Sequence, residues 1–318
     1  MLIREYVSLT LFLCVVLAVY IKEASLILKL IFHKLGRRQG PSGFLSKPAV
    51  AVHIVSLIGI LCILYAMFIE PQWIEVKRVE LTTPKLSKAH IRIIQISDMH
   101  CDPGDSRDMK AAATINSLKP DVVVFTGDAL NTEKAMPVFK AAMKAIKAPW
   151  KFAVTGNFDY WFMRGKDLFG GTGFKALDRE TVKLTKDGES VYITGLDFGE
   201  WRRWPEVLSK VPRGKYSIFL YHKPDLIEDI KGKVNVDLYL CGHTHGGQIA
   251  LPVYGAIITF AKYGKRYEAG EYKVGGTVLY VNRGLGLEGK APIKARFFAR
   301  PEITVFDIKP ESRPEAKE

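Results

Sequence analysis

The chain reads as an α/β protein, with two packed sheets flanked by helices in an α/β/β/α sandwich, preceded by N-terminal transmembrane helices. Three observations predict this. Its 318 residues are 48% hydrophobic and 25% charged, a composition that can bury a full core. Residues 49–69 run for 21 positions without Asp, Glu, Lys or Arg, enough to cross a bilayer as a helix. Beyond Pro71 the hydrophobicity changes from continuous to alternating, and short apolar runs separated by helix-length segments point to βαβ units.

Residues 6–21 are apolar for 16 positions between Arg4 and Lys22, whose long stems can reach the interface and let a short segment span. A cleaved signal peptide would show the same short run, but no small-residue cleavage site follows at the usual distance. Residues 24–33 read as an amphipathic helix lying along the membrane. Within 49–69 the polar interruptions are His53 and Ser56, which a helix accommodates near one end or against a partner helix. Residues 1–69 are expected to form a membrane anchor, 70–90 a linker and 91–318 the main domain.

In that domain, strands are expected at 91–96, 121–125 and 150–154, with helices at 106–117 and 133–147 between them. The second half is richer in strands, at 181–184, 191–194, 216–221, 236–240, 268–274, 277–281 and 302–308, joined mostly by short connections containing Gly or Pro. No internal repeat is visible.

The net charge is +13, of which residues 1–69 carry +5 from seven Lys/Arg against Glu5 and Glu23. A basic domain beside a bilayer suits anionic headgroups or phosphorylated substrates, and suits a generic basic surface equally well. No aromatic-interleaved basic stripe is present, so nucleic acid is not an expected partner. The segment 22–48 holds six Lys/Arg, a small bias toward placing the main domain outside the cytoplasm that leaves its side of the membrane open. The four cysteines lack zinc-type spacing. Cys14 and Cys62 lie in the hydrophobic segments, and Cys101 and Cys241 read as small hydrophobes beside the site.

Polar residues that could carry chemistry fall where strands end, the place where α/β proteins put ligand sites. Asp98 and His100 follow the first strand, and an i, i+2 spacing in extended backbone would aim both the same way. Gly127-Asp128 follows the second, the glycine letting the chain turn tightly under the carboxylate. Asn157, in Gly156-Asn157-Phe158-Asp159, follows the third. His222-Lys223 ends a later strand and Gly242-His243-Thr244-His245 another. Mixed nitrogen and oxygen donors without thiolate suit Mn, Fe or Zn. Two ions about 3.5–4 Å apart would share a carboxylate, activate a water and hold a phosphoryl group for in-line displacement.

In this order the residues resemble the calcineurin-like metallophosphoesterase superfamily, whose motifs run DxH, GD, GNH(D/E), H and GHxH. Each motif alone is weak; five in order are specific. Asn282-Arg283-Gly284-Leu285-Gly286 and Arg300-Pro301-Glu302-Ile303 are similar to its membrane-associated subgroup of YkuE- and YaeI-like proteins. The resemblance implies a first ion held by Asp98, His100, Asp128 and His245 and a second by Asp128, Asn157, His222 and His243, with Asp128 as the bridge. Two divalent ions are expected, manganese first, with iron or zinc as alternatives. Asp128, Asn157 and Asp159 are the residues expected at the catalytic centre.

The family's third motif carries histidine after the asparagine, to protonate the leaving oxygen or stabilise phosphoryl charge. Here the position is Phe158, which can do neither, although Asp159, expected to orient the missing imidazole, remains. Hydrolases of the LpxH type, which the chain resembles in departing from histidine at this place, carry arginine there and cleave a phosphoanhydride. The resemblance therefore implies a membrane-anchored hydrolase of a phosphodiester or pyrophosphate bond in a lipid-like substrate such as UDP-2,3-diacylglucosamine. The alternatives are an exported phosphodiesterase and a metal-binding scaffold that has lost turnover. Lys223, Arg283 and Arg296 are candidates for contacting phosphate, and Tyr160, Trp161 and Arg164 for a substrate wall; each reads equally as surface charge or packing.

Overall fold

The structure, a computed structural model, describes residues 3–36, 43–104, 106–289 and 294–311. It opens with helices α1 (Ile3–Lys34) and α2 (Lys47–Leu64); α1, and α2 with its continuation to Gln72, are long and apolar enough to cross a membrane. No Gly or Pro separates residues 21 and 24, so the short span and the amphipathic helix expected separately form one 32-residue helix. The two helices pack antiparallel. Tyr20 donates to the Ser56 carbonyl at 3.2 Å, and His53 lies between the Glu23 carboxylate at 2.8 Å and the Phe44 carbonyl at 2.9 Å. Arg37 and Arg38, two of the six basic residues of segment 22–48, lie outside the described residues.

Past α2 the helix widens at Tyr65–Ile69 and ends in a tight turn at Glu70–Gln72. The segment expected as a linker then holds a nine-residue strand, β1 (Glu75–Thr83), paired in parallel with the last strand of the chain. It lies at a sheet edge, where exposed Lys77 and Arg78 interrupt the apolar pattern that would have announced it.

The chain continues through β2 (Ile91–Ile96), α3 (Arg107–Ser117), β3 (Val122–Phe125), α4 (Met136–Ala145), β4 (Trp150–Ala153), α5 (Asn157–Phe162) and β5 (Lys175–Ala176). Then come β6 (Glu180–Lys186), β7 (Glu189–Gly195), α6 (Trp204–Leu208), β8 (Tyr216–Leu220), α7 (Ile227–Ile230) and β9 (Leu238–Cys241). A small hairpin, β10 (Ala250–Leu251) and β11 (Gly255–Ala256), precedes β12 (Gly270–Val274), β13 (Thr277–Val281) and β14 (Glu302–Pro310). Besides β1, the elements missing from the sequence reading are α5, α6, α7, β5 and the β10–β11 hairpin, each too short for periodicity to reveal.

One sheet has the order β1-β14-β2-β3-β4-β5 and the other β12-β13-β9-β8-β7-β6. Alternation along the strands sorts side chains between layers. Ile91 and Ile93 of β2 join Ile218, Leu220, Leu238 and Leu240 of the other sheet in a core between the sheets. Ile94 and Ile96 face the opposite way, against Ala111, Ile115 and Phe139 of α3 and α4. On the far side Phe219 and Tyr239 pack on Val207 of α6 and Ile227 of α7. The result is the expected α/β/β/α sandwich. β2, β3 and β4 run parallel, as do β7, β8 and β9, so the carboxyl ends of both sets converge on one edge.

Candidate metal centre

Every candidate ligand lies just past one of those ends, and five of the seven are not in extended backbone. Asp98 (φ 47°), His100 (φ 40°), Asp128 (φ 59°), His243 (φ 73°) and His245 (φ 53°) are all left-handed, a conformation costing roughly 1–3 kcal/mol per residue other than glycine. Tight turns, rather than i, i+2 alternation, aim these side chains. Neighbouring loops hold the turns. The amides of Asp98 and His100 donate to the carbonyls of Gly127 and Asp128 at 2.8 and 3.1 Å, and Gly286 donates to the Asp98 carbonyl at 2.7 Å. At Gly242 a Cβ would stand 2.0 Å from Asp98 Oδ2, and at Gly127 one would stand 2.6 Å from the Gly156 nitrogen, so both motif glycines are fixed by close approach.

The candidate ligands are buried except His243, which is partly buried. One ligand atom each from Asp98, His100 and His245, and from Asp98, Asp128 and His222, lies within 4.8 Å of the others in its set. Asp128 Oδ2 is 3.5 Å from His100 Nε2 and 3.3 Å from His222 Nε2, which places it between the sets. Asn157 Oδ1 is 3.0 Å from His222 Nε2. The His243 ring stands 5.1 Å from that of His222 and its Nε2 is 3.3 Å from the Phe260 carbonyl.

The donor set fits divalent ions. Among the described residues, His100 Nε2 and His245 Nδ1 are buried without a hydrogen-bond partner, whereas such atoms are ordinarily paired. The opposite ring nitrogen is engaged where orientation is needed. His100 Nδ1 donates to Asn131 Oδ1 at 3.0 Å and His222 Nδ1 to the Thr126 carbonyl at 2.8 Å, leaving each Nε2 directed at the centre. Without metal the cluster is electrostatically tense. Burial pushes Asp98 up to about 7 and His100 down to about 4, and holds His243 and His245 well below the ordinary imidazole value. Burial would also raise Asp128 and lower His222, but their mutual attraction outweighs it, leaving Asp128 at about 2 and His222 at about 9.

A cavity of about 270 Å³ opens above the cluster. Asp128, Asn157, His243 and His245 reach it from the cluster, with Phe158, Trp161 and Phe260 as apolar lining and Lys223 and Glu288 as charged lining. Phe158 packs edge-on against the His100 ring at 4.7 Å. Asp159 has a different task from the one expected. Its carboxylate accepts from the amides of Asp128, Ala129 and Gly156 at 2.8–2.9 Å, so it braces the loops under Asp128 instead of facing a substrate.

Of the three cations considered for phosphate, Lys223 lines the cavity. Arg283 pairs with Glu75 and Glu302, and Arg296 is buried, donating to the carbonyls of Gly286, Ala299 and Arg283. Trp161 forms part of the wall, while Tyr160 packs on Phe198 and under the Arg164 guanidinium. Cys101 and Cys241 are buried, and neither forms a disulfide among the described residues.

Two residues escaped the sequence reading. Asn131 bonds to both the ring and the backbone of His100 and accepts from Gly289; its position three residues after Asp128 was the available signal. Gln95, buried between the sheets, donates to Thr126 Oγ1 at 3.1 Å and the Cys241 carbonyl at 2.9 Å, tying together three ligand-bearing ends. A polar residue at a core-facing strand position was its signal.

The calcineurin-like phosphoesterase family model matches residues 91–247, the stretch that carries these ligand candidates. The chain is 37% identical over 261 residues to the uncharacterized metallophosphoesterase YkuE of Bacillus subtilis, covering 77% of this chain and 89% of that one. It is 28% identical to phosphodiesterase YaeI of Escherichia coli over 77% of this chain and 92% of that one. With the UDP-2,3-diacylglucosamine pyrophosphatase LpxG of Chlamydia muridarum it shares 26% identity over 81% of this chain and 96% of that one. Motif order, sandwich and buried donor cluster agree with these relationships: the chain belongs to the calcineurin-like metallophosphoesterase family and is a metal-dependent phosphoester hydrolase.

Proposed function

We propose that the protein is a membrane-anchored, two-metal hydrolase of a phosphodiester or pyrophosphate bond in a lipid-like substrate. The observation that carries this reading is the buried donor cluster beneath a cavity lined by Phe158 where an acid would be expected. In this reading Asp98, His100, Asp128 and His245 hold one ion and Asp128, Asn157, His222 and His243 the other, with manganese expected ahead of iron or zinc. Bound there, the ions would supply Lewis acidity toward the phosphoryl group and lower the pKa of a water. Asp128 would be the ligand common to both ions, and Asp159 keeps the Asp128 loop in register. Lys223, at the cavity wall, places a positive charge for a phosphoryl oxygen. Phe158 and Trp161 give the leaving group an apolar wall.

Without a proton donor at position 158, expulsion of a high-pKa alkoxide is slow, whereas phosphate or nitrophenolate leaves readily. A cavity of about 270 Å³ is at the small end of ligand pockets; it suits a phosphoryl group and its neighbours and leaves acyl chains outside. The relative named for UDP-2,3-diacylglucosamine makes that lipid the candidate substrate. The test compares turnover of UDP-2,3-diacylglucosamine, bis-nitrophenyl phosphate and an alkyl phosphomonoester by the full chain and by Phe158→His, with Mn, Zn and Mg. The alkyl ester should be slower by on the order of 100-fold or more, and Phe158→His should narrow the gap. Efficient alkyl ester hydrolysis by the unmodified protein refutes the leaving-group argument, and inactivity on all three refutes the hydrolase reading.

A further inference from the structure

We infer that the tip of the β10–β11 hairpin and the turn at Phe298 insert into the bilayer, so that the cavity mouth opens at the membrane surface. This rests on the reading of α1 and α2 as a membrane anchor. Val253 is fully exposed, and Phe260 and Phe298 are each 59% exposed. All three have left-handed backbone, at φ 66°, 54° and 53°, where glycine would be free of strain. Large apolar side chains are thus displayed to the surroundings at positions that disfavour them.

Their placement says what surrounds them. The Tyr254 hydroxyl meets Ser8 Oγ of α1, and Ser8 lies about 7–8 Å along the helix from Ile3, among exposed Tyr6, Val7 and Leu11. The hairpin tip therefore stands level with the lipid-facing surface of the helix. Just beyond it, the Glu5 carboxylate accepts from the Thr259 amide at 3.0 Å and hydroxyl at 2.7 Å. In the tight turn beyond α2, Glu70 accepts from the amides of Phe298 and Ala299 at 3.0 and 2.6 Å. Both acids are buried, so the helices and these loops form one rigid mount. Exposed Trp73, under the Arg300 guanidinium at 4.1 Å, has the composition of an interfacial anchor.

The same stretch reaches the cavity. Phe260 lines it, and the Phe260 carbonyl accepts from His243 Nε2. A partner protein is a weaker fit, because helices anchored at Glu5 and Glu70 already press this face against lipid. An amphiphile could then enter the cavity from the leaflet, its acyl chains remaining in the bilayer.

The test uses the full chain in nanodiscs, in a Cys14→Ala, Cys62→Ala background. An environment-sensitive fluorophore is attached at Val253→Cys or, as a control, at Asp187→Cys on the exposed β6–β7 turn. Doxyl-labelled lipid should quench the probe at 253 several-fold more than the probe at 187. Equal quenching, or failure of the protein to enter nanodiscs, overturns the inference. In a second arm, Val253→Asp combined with Phe298→Asp should lower turnover of bilayer-embedded substrate about tenfold and leave bis-nitrophenyl phosphate hydrolysis in detergent unchanged. Equal loss on both overturns it. Quenching needs no turnover, so an inactive protein with strong quenching at 253 would refute the hydrolase reading alone.

Discussion

The two sheets contribute to the centre in different ways. The sheet of β2, β3 and β4 brings both carboxylates, the amide and one imidazole, Asp98, Asp128, Asn157 and His100, and braces its own loops, Asp159 under Asp128 and Asn131 on the His100 ring. The sheet of β8 and β9 brings imidazoles alone, His222, His243 and His245, held largely by groups of its partner. His222 donates to Thr126 of the first sheet, and the His243 amide donates to Asp98 at 3.1 Å. One half of the centre is built locally; the other exists once the sandwich has closed. Charge is concentrated in the first half, and the second half is set by docking.

Asp128→Asn should break this arrangement most severely. It should lose both ions and more activity than the about 10–100-fold that follows loss of an orienting partner, whereas His222→Ala should lose one ion. Metal analysis and turnover of the purified variants check it, and an Asn variant with two ions and full activity would remove Asp128 from the bridge. Next in size, Asn131→Ala should weaken metal affinity by about 10–100-fold, measured by titration calorimetry, because His100 loses the side chain that fixes its ring. His222 has no such mutable partner, since a backbone carbonyl orients it.

Gly242→Ala probes docking itself. The added methyl would press on Asp98 and Ser97 and should cost about 1–3 kcal/mol, read as a lowered thermal midpoint together with weaker metal binding. An unchanged midpoint would show that the second half can adjust its seat.

The smallest effect is one of pH on the metal-free protein. The His222 proton stabilises the fold fully below 6.5, and that stability is lost as pH rises through about 9. Asp98, pushed up to about 7 by burial, costs stability progressively from its ordinary carboxylate value up to about pH 7, so that cost is almost complete where the His222 loss begins. Chelator-treated protein should therefore lose stability from pH 6.5 to 9. Metal-loaded protein should gain relative to it, because ions compete with protons for the same atoms. Thermal midpoints with and without chelator across that window should diverge, and a rising metal-free midpoint would reverse the assignment.

The sandwich and the motif residues were legible because apolar runs and strand-end polar residues carry strong local signals. Strand β1 was not, since its edge position tolerates Lys77 and Arg78 and its partner lies more than 200 residues away. The continuity of α1 was obscured by Lys22 and Glu23, which hydropathy reads as a boundary and the helix absorbs, Glu23 by meeting His53. The role of Asp159 was hidden for another reason: a motif says which residue stands at a position, and only the surrounding amides say what it holds. Arg283 and Arg296 show the same limit, since charge near a site does not reveal which acids or carbonyls have already claimed it.

The left-handed backbone at Asp98, His100, Asp128, His243 and His245 bears on how this chain changes over generations. At roughly 1 kcal/mol or more apiece, the five together rival the entire stability of a small domain. Glycine would relieve each one, and a lineage released from its chemistry would drift toward that relief at these positions first. All five carry an acid or an imidazole, so the backbone strain and the candidate ligands fall on the same positions.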